Sequence, residues 1–86
     1  MKMIRLSKSI KNTGKTRWQI ALDFNLTKAQ TEVLRSLSEG LTMKEIAADR
    51  RVSIHTVHEQ LRLAYRRLDA KGSNNAIAIA MRAGLI

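Results

Sequence analysis

Two helix-capping patterns stand close together in this sequence and constrain its fold more than any other feature. Thr27 is followed three residues later by Gln30, and Thr42 is followed three residues later by Glu45. In such a pattern the Thr hydroxyl accepts a hydrogen bond from the first helical turn, and the Gln or Glu side chain accepts one from the capping residue. The sequence therefore predicts two successive helices after Leu26.

Apolar residues at helical spacing support these two helices and place a third after them. The first two predicted helices, which end near Gly40 and Arg50, carry apolar residues on one side: Val33, Leu34, Leu37, Ile46 and Ala47. The third is predicted from a cap at Ser53 to about Leu68, and its apolar stripe is Ile54, Val57, Leu61, Ala64 and Leu68. Its opposite face is polar: His55, His58, Glu59, Arg62 and Arg66. One face therefore packs on the protein, and the other meets solvent or a partner.

The end of the chain predicts a fourth helix, capped by Ser73 or Asn74 after a break at Gly72. Its inner side is expected to hold five apolar residues: Ala76, Ile77, Ala80, Met81 and Leu85. Ile79 falls outside this stripe. An exposed isoleucine at that position would indicate a partner surface.

The first 25 residues show a different pattern. Over residues 17–24 the sequence alternates, which would place four apolar side chains on one face of a strand: Trp18, Ile20, Leu22 and Phe24. Ile4 and Leu6 alternate weakly, and residues 12–14 provide a turn signal between the two stretches. The sequence therefore predicts a mainly α fold with a short N-terminal extended arm or β-hairpin. The alternative is a mobile arm with only a strand-like stub.

The charge of the chain indicates an anionic partner, because a net charge of +9 and a pI of about 11.0 are large for 86 residues. Residues 1–25 carry six cations and one acid, so a basic arm precedes a moderately basic domain over residues 26–86. Only three aromatic residues are present, which disfavours single-strand binding by stacking. The chain has no cysteine and no apolar run near the roughly 20 residues that cross a membrane. We therefore expect a cytoplasmic protein without disulfides and without membrane association.

From Leu26 to Ile86 the chain resembles the LuxR/GerE-type helix-turn-helix domain. The resemblance is carried by these residues: Leu26, Thr27, Glu32, Val33, Leu34, Glu39, Gly40, Leu41, Thr42, Lys44, Glu45, Ile46, Ala47, Val52, Ser53, Thr56, Val57, Leu68, Ala76, Ile77, Ala78, Ala80, Gly84, Leu85 and Ile86. It implies a bacterial transcription regulator with four helices, in which the second and third form the DNA-binding pair and the fourth commonly supplies a dimer contact. Because residues 1–25 are too few for a receiver or sensor domain, the resemblance is closest to stand-alone, GerE-like members.

Three departures from the family pattern bear on the structure. Gln30 replaces a Glu in the first helix, so an ionic tether there becomes a neutral hydrogen bond. Arg50 replaces an apolar residue before the turn, and we expect its stem to cover the core while its guanidinium faces solvent or phosphate. Asp69 stands where a glycine is common after the third helix.

Position within the motif makes three residues candidates for reading bases in the major groove: His58, Glu59 and Arg62. Arg62 could donate two hydrogen bonds to guanine, and Glu59 could accept one from a cytosine amino group. The alternative is a solvated helix face on which these two residues, three apart, pair with each other. Phosphate contacts are predicted from helix starts and flanking cations: Thr42, Lys44, Ser53, Thr56, Arg66 and Arg67. Capping alone would also explain Thr42 and Ser53.

Other chemistry is not supported. His55 and His58 lack the second His that a zinc-protease pattern would need at Arg62. Residues 13–16 resemble the end of a phosphate-binding loop, but Ser9 occupies the place of its first glycine. No nucleophile, base and orienting group form a catalytic set. We therefore expect a non-enzyme without a metal or another cofactor.

The leading hypothesis is a homodimeric regulator that binds double-stranded DNA in a sequence-specific manner, with the helix from Ser53 to about Leu68 in the major groove. One alternative is a sigma-factor-like protein whose partner is RNA polymerase. A second is an interaction module that captures another regulator through its apolar arm and Ile79. A third, less favoured alternative is binding of the basic arm to an anionic membrane.

Overall fold

The computed structural model describes residues 14–86, and in that range it contains five α-helices and no strand. The helices are α1 (Arg17–Asp23), α2 (Lys28–Ser38), α3 (Met43–Arg50), α4 (Ile54–Leu68) and α5 (Ser73–Ala83). The four helices predicted from the sequence correspond to α2 to α5. The mainly α class is confirmed, and α1 is an addition to the predicted set.

The strand predicted over residues 17–24 is wrong, because this segment forms α1. Its start is a third capping box, in which Thr16 Oγ1 accepts from the Gln19 N–H at 3.2 Å and Gln19 Oε1 accepts from the Thr16 N–H at 2.9 Å. The helical period buries Ile20 and leaves Leu22 70% exposed, although a strand would place both on one face. The rest of the predicted hairpin, over residues 1–13, lies outside the described residues.

The capping boxes predicted for α2 and α3 are both present. Thr27 and Gln30 exchange hydrogen bonds at 3.0 Å, and the bonds between Thr42 and Glu45 measure 2.8 and 3.1 Å. Ser53 caps α4 as predicted, because its Oγ accepts from the Thr56 N–H at 3.0 Å. These side chains satisfy backbone donors that a helix start leaves without an intrahelical partner.

The predicted cap of α5 by Ser73 or Asn74 is wrong. Gly72 occupies the capping position and has no side chain to accept a hydrogen bond. Asn75 Oδ1 instead accepts from the Lys71 N–H at 2.9 Å, just before the helix. A side chain inside the first turn therefore fixes the approach to α5.

The core lies where α4 packs against α2, α3 and α5, with α1 against α2. The largest fully buried apolar side chains come from four parts of the chain: Val33 and Leu34, Ile46, Val57 and Leu61, and Leu85. The α4 stripe is buried as predicted from Val57 to Leu68. Ile54 is an exception at 42% exposure, because it lies in the first turn of α4, before the buried part of the stripe.

Two residues of α5, Ile79 and Met81, do not lie on the faces predicted for them. Ala76, Ala80 and Leu85 are fully buried as expected, but Met81 is 52% exposed. Ile79, which was predicted to lie outside the apolar stripe, is partly buried and packs against the core. The prediction of Ile79 as an exposed partner surface is therefore wrong.

The chain turns sharply between α3 and α4. Arg51 ends α3 in the left-handed conformation (φ 59°, ψ 44°), and the Val52 N–H donates to the Ala47 carbonyl at 3.0 Å. Arg50 Nη1 lies 3.3 Å from Glu32 Oε1 on α2, so the guanidinium expected to face solvent or phosphate has an ionic partner within the domain. The turn sets α3 and α4 in a helix-turn-helix arrangement, and the ion pair holds the end of α3 against α2.

Candidate nucleic-acid interface

The exposed surface of α4 is the center of the candidate site. Five side chains at helical spacing lie on the side of α4 opposite the core, and all are exposed: His55, His58, Glu59, Arg62 and Arg66. Val57, Leu61, Ala64 and Leu68 hold the other side in the protein interior. Because the apolar stripe fixes the rotation of α4, the sequence determines which side chains face outward.

The three predicted base-reading residues lie together on this surface. His58, Glu59 and Arg62 border an open concavity of about 290 Å³, whose apolar lining comes from Met43, Leu61 and Tyr65. Met43 is the first residue of α3. The start of α3 therefore lies beside the exposed surface of α4.

Glu59 and Arg62 form an ion pair. Arg62 Nε donates to Glu59 Oε1 at 3.2 Å, and Arg62 Nη2 donates to Glu59 Oε2. The hydrogen bond from Arg62 holds the pKa of the Glu59 carboxyl below its ordinary value. Desolvation opposes this shift, and the charges of Arg62, His55 and Arg66 add to it. The same hydrogen bond raises the pKa of the Arg62 guanidinium. The pairing considered as an alternative to base reading is therefore present in the protein without DNA.

The predicted phosphate-binding residues fall into three groups along α3 and α4. Thr42 and Lys44 lie exposed at the start of α3, and Ser53 and Thr56 lie at the start of α4. Arg66 and Arg67 lie exposed in the last turn of α4. The hydroxyls of Thr42 and Ser53 are used as helix caps, as the simpler explanation predicted.

The cations among these candidates are not neutralised within the described part of the chain. Lys44, Arg66 and Arg67 form no ion pair with any residue of 14–86. By contrast, Arg35, Arg50 and Arg62 each lie within 4 Å of a carboxylate. Lys44, Arg66 and Arg67 are therefore available to bind an external anion.

Two residues of the site were missed in the sequence analysis, Met43 and Tyr65. Tyr65 is three residues after Arg62, so helical spacing could have placed it beside the polar face. Burial raises the pKa of the Tyr65 phenol, and Ser73 at the start of α5 opposes that rise. Tyr65 therefore connects the candidate site to the last helix.

Two other kinds of site are not found in the described residues. Within residues 14–86, no three His, Cys, Asp or Glu side chains are grouped so that they could hold a metal ion. None of the helices α1 to α5 is long and apolar enough to cross a membrane.

Comparisons with known proteins agree with the resemblance noted in the sequence. The family model described as bacterial regulatory proteins of the luxR family matches residues 24–80, which is more than half of the chain. The transcriptional regulatory protein YdfI of Bacillus subtilis (strain 168) is 38% identical over 61 residues. This match covers 71% of the chain and 29% of that relative, so the chain spans under a third of its length. No solved structure matches the chain significantly.

Proposed function

Since the chain belongs to the luxR family of bacterial regulatory proteins, we propose that it is a transcription regulator that binds double-stranded DNA in a sequence-specific manner. The observation that carries this proposal is the polar face of α4, which projects from a helix-turn-helix while the rest of that helix is held in the core. The major groove of DNA is wide enough to admit such a helix, and its base edges present distinguishable donors and acceptors.

In the proposed complex α4 enters the major groove with His58, Glu59 and Arg62 toward the base edges. Arg62 is the strongest candidate for reading a base, because a guanidinium can donate to guanine O6 and N7 together. His58 lies one turn earlier on the same side of α4 and would meet a neighbouring base pair. The concavity beside these residues gives room for a base edge next to Met43 and Tyr65.

Phosphate contacts would hold α4 in the groove. The starts of α3 and α4 present backbone N–H groups and the positive end of the helix dipole, which favour an anion. Lys44 is next to the first of these starts, and Arg66 and Arg67 lie in the last turn of α4, where they would flank the groove. Three neutralised phosphates per protomer would give log K a slope of roughly −2.7 against log salt concentration.

We further infer that the protein binds as a homodimer to two inverted half-sites about one helical turn apart, as dimeric helix-turn-helix proteins do. In the described residues the exposed Met81 on α5 offers one apolar contact for a second copy. A cytoplasmic, nucleoid-associated location would follow from this function.

The test is selection of bound duplexes from a random library, followed by gel-shift measurement of Kd on the selected sequences. The wild-type chain should enrich a defined motif, and Arg62→Ala should lose preference at one of its base pairs. Arg35→Ala is the matched control, because Arg35 is also an exposed, ion-paired arginine but lies on α2. No enrichment by the wild-type chain would refute sequence-specific binding, and an unchanged ranking with Arg62→Ala would refute the base-reading role of Arg62.

A further inference from the structure

The ion pair between Glu59 and Arg62 on the exposed face of α4 indicates that these two residues have different roles in DNA binding. We propose that Glu59 is a positioning residue, which holds the Arg62 guanidinium as a fixed fork for guanine and so determines specificity at the base pair that Arg62 contacts. This inference rests on the proposed function, because it assigns separate roles to two residues of the proposed DNA-binding face: Arg62 contacts the base, and Glu59 positions Arg62.

The geometry of the pair leaves the guanine-binding edge of Arg62 available. A guanidinium carries five N–H groups, one on Nε and two on each terminal nitrogen. Glu59 accepts from Nε and from Nη2, which lie along one edge of the planar guanidinium. The two N–H groups of Nη1 and one of Nη2 remain, and adjacent terminal nitrogens are the donors that span guanine O6 and N7. The same arginine can therefore bind Glu59 and guanine at once.

The pair also changes what Arg62 would otherwise bind. A flexible, unpaired arginine on a basic protein is attracted by any phosphate, which raises affinity for all sequences equally. A carboxylate against the guanidinium offsets that attraction and restricts the side chain to one orientation before DNA arrives. Binding energy from Arg62 is then gained mainly where a base edge matches the fork, which is how specificity is improved.

The structure favours this role over a base contact by Glu59 itself. Both of its carboxylate oxygens already accept hydrogen bonds from Arg62. A cytosine amino group would have to share one of those oxygens. The effect of Glu59 should therefore appear at the base pair contacted by Arg62, and it should disappear when Arg62 is absent.

The experiment measures, at each base pair of the DNA site, how strongly the protein prefers one base pair over the others. A duplex selected by the wild-type chain is remade with every single base-pair substitution, and Kd is measured for each with wild type, Arg62→Ala, Glu59→Gln and the double variant. Asp23→Asn is the matched control, because it also removes one negative charge and releases a cation, Lys15, from a 2.7 Å ion pair on α1. All the changed side chains are exposed, and thermal unfolding verifies that each variant is folded.

Arg62→Ala should lose about tenfold to a hundredfold preference at one guanine, the range for a bidentate base contact. Glu59→Gln should lose roughly twofold to tenfold at the same base pair, the equivalent of immobilising one flexible side chain. The double variant should match Arg62→Ala, and Asp23→Asn should keep every wild-type preference.

Two results would overturn the positioning role while leaving the proposed function intact. One is a Glu59→Gln effect at a different base pair, or one that persists without Arg62, since either indicates a base contact of its own. The other is an unchanged preference in Glu59→Gln at every base pair. If instead Arg62→Ala itself alters no preference, the proposed base reading by Arg62 fails, and the positioning role fails with it.

Discussion

The left-handed residue between α3 and α4 gives a test of how the helix-turn-helix is held together. Arg51 adopts φ 59° and ψ 44°, a conformation that costs an L-residue with a Cβ roughly 1–2 kcal/mol. Glycine has no such cost, but it lowers the unfolding free energy by about 0.4–1 kcal/mol because it increases the entropy of the unfolded chain. The expected net gain in unfolding free energy for Arg51→Gly is therefore about 0.5–1 kcal/mol.

For a domain of this size a gain of 1 kcal/mol raises Tm by roughly 4–8 °C. Thermal unfolding followed by circular dichroism should therefore show Arg51→Gly melting about 2–8 °C above wild type. Arg51→Ala is the control for loss of the charge and the long side chain, because it keeps the Cβ and should show no such rise. Ala48→Gly, at an exposed position inside α3, should lower the unfolding free energy by about 0.5–1 kcal/mol.

Glycine should therefore change the unfolding free energy in opposite directions at these two neighbouring positions, raising it at position 51 and lowering it at position 48. If Arg51→Gly melts at or below the temperature of Arg51→Ala, the left-handed turn is not a source of strain. The conformation would then be stabilised by interactions of the arginine side chain itself, and the backbone argument for this turn would be wrong.

Three further outcomes are expected from the same structure. Leu61→Ala, at a fully buried position of α4, should lower the unfolding free energy by about 2–5 kcal/mol in a chemical denaturation, and a loss under 1 kcal/mol would contradict the assigned core. Ser73→Ala should raise the pKa of Tyr65 further, because it removes the hydroxyl that opposes the effect of burial. Tyr65 is the single tyrosine of the chain, so its ultraviolet absorbance reports the titration directly, and a fall in that pKa would contradict the assigned influence of Ser73. In an NMR titration the Glu59 carboxyl should protonate at a lower pH than an ordinary glutamate, and any stabilisation by its ion pair should be lost as the pH falls through that lowered pKa. The Glu59 titration should return toward the ordinary range in Arg62→Ala, and an unchanged midpoint in that variant would show that another group lowers the pKa.

Local sequence signals predicted α2, α3 and α4 because a capping side chain encodes the start of each of these helices. Thr27, Thr42 and Ser53 cap their helices as the sequence indicates. Thr16 and Gln19 carry the same signal, but alternating apolar residues also fit a strand over so short a segment. Where the two signals conflict, the capping box was the better guide.

Contacts between distant parts of the chain could not be predicted in this way. The ion pair of Arg50 with Glu32 joins two helices, and nothing in the spacing of these residues indicates that they meet. The burial of Ile79 and exposure of Met81 likewise depend on how α5 is rotated against its neighbours.

The left-handed conformation at Asp69 preserves the end of α4 even though glycine is absent there. Asp tolerates this conformation better than most residues, so the helix ends where the family pattern implies.

The polar face of α4 was predictable in membership but not in its internal contacts. The period of the apolar stripe places His58, Glu59 and Arg62 on one side of the helix. Whether Glu59 and Arg62 would pair or stand apart depends on rotamers, which the spacing leaves open. The role proposed for Glu59 therefore comes from the structure and not from the pattern.

Methylation interference tests the entry of α4 into the major groove most directly. Methylation of guanine N7 blocks a major-groove acceptor without changing base pairing. The wild-type chain should lose binding when one guanine of each half-site is methylated, and Arg62→Ala should become insensitive to that modification while keeping its sensitivity elsewhere. An interference pattern without any N7 effect would contradict a groove-binding role for this face of α4, and one that is identical for wild type and Arg62→Ala would contradict the guanine contact of Arg62.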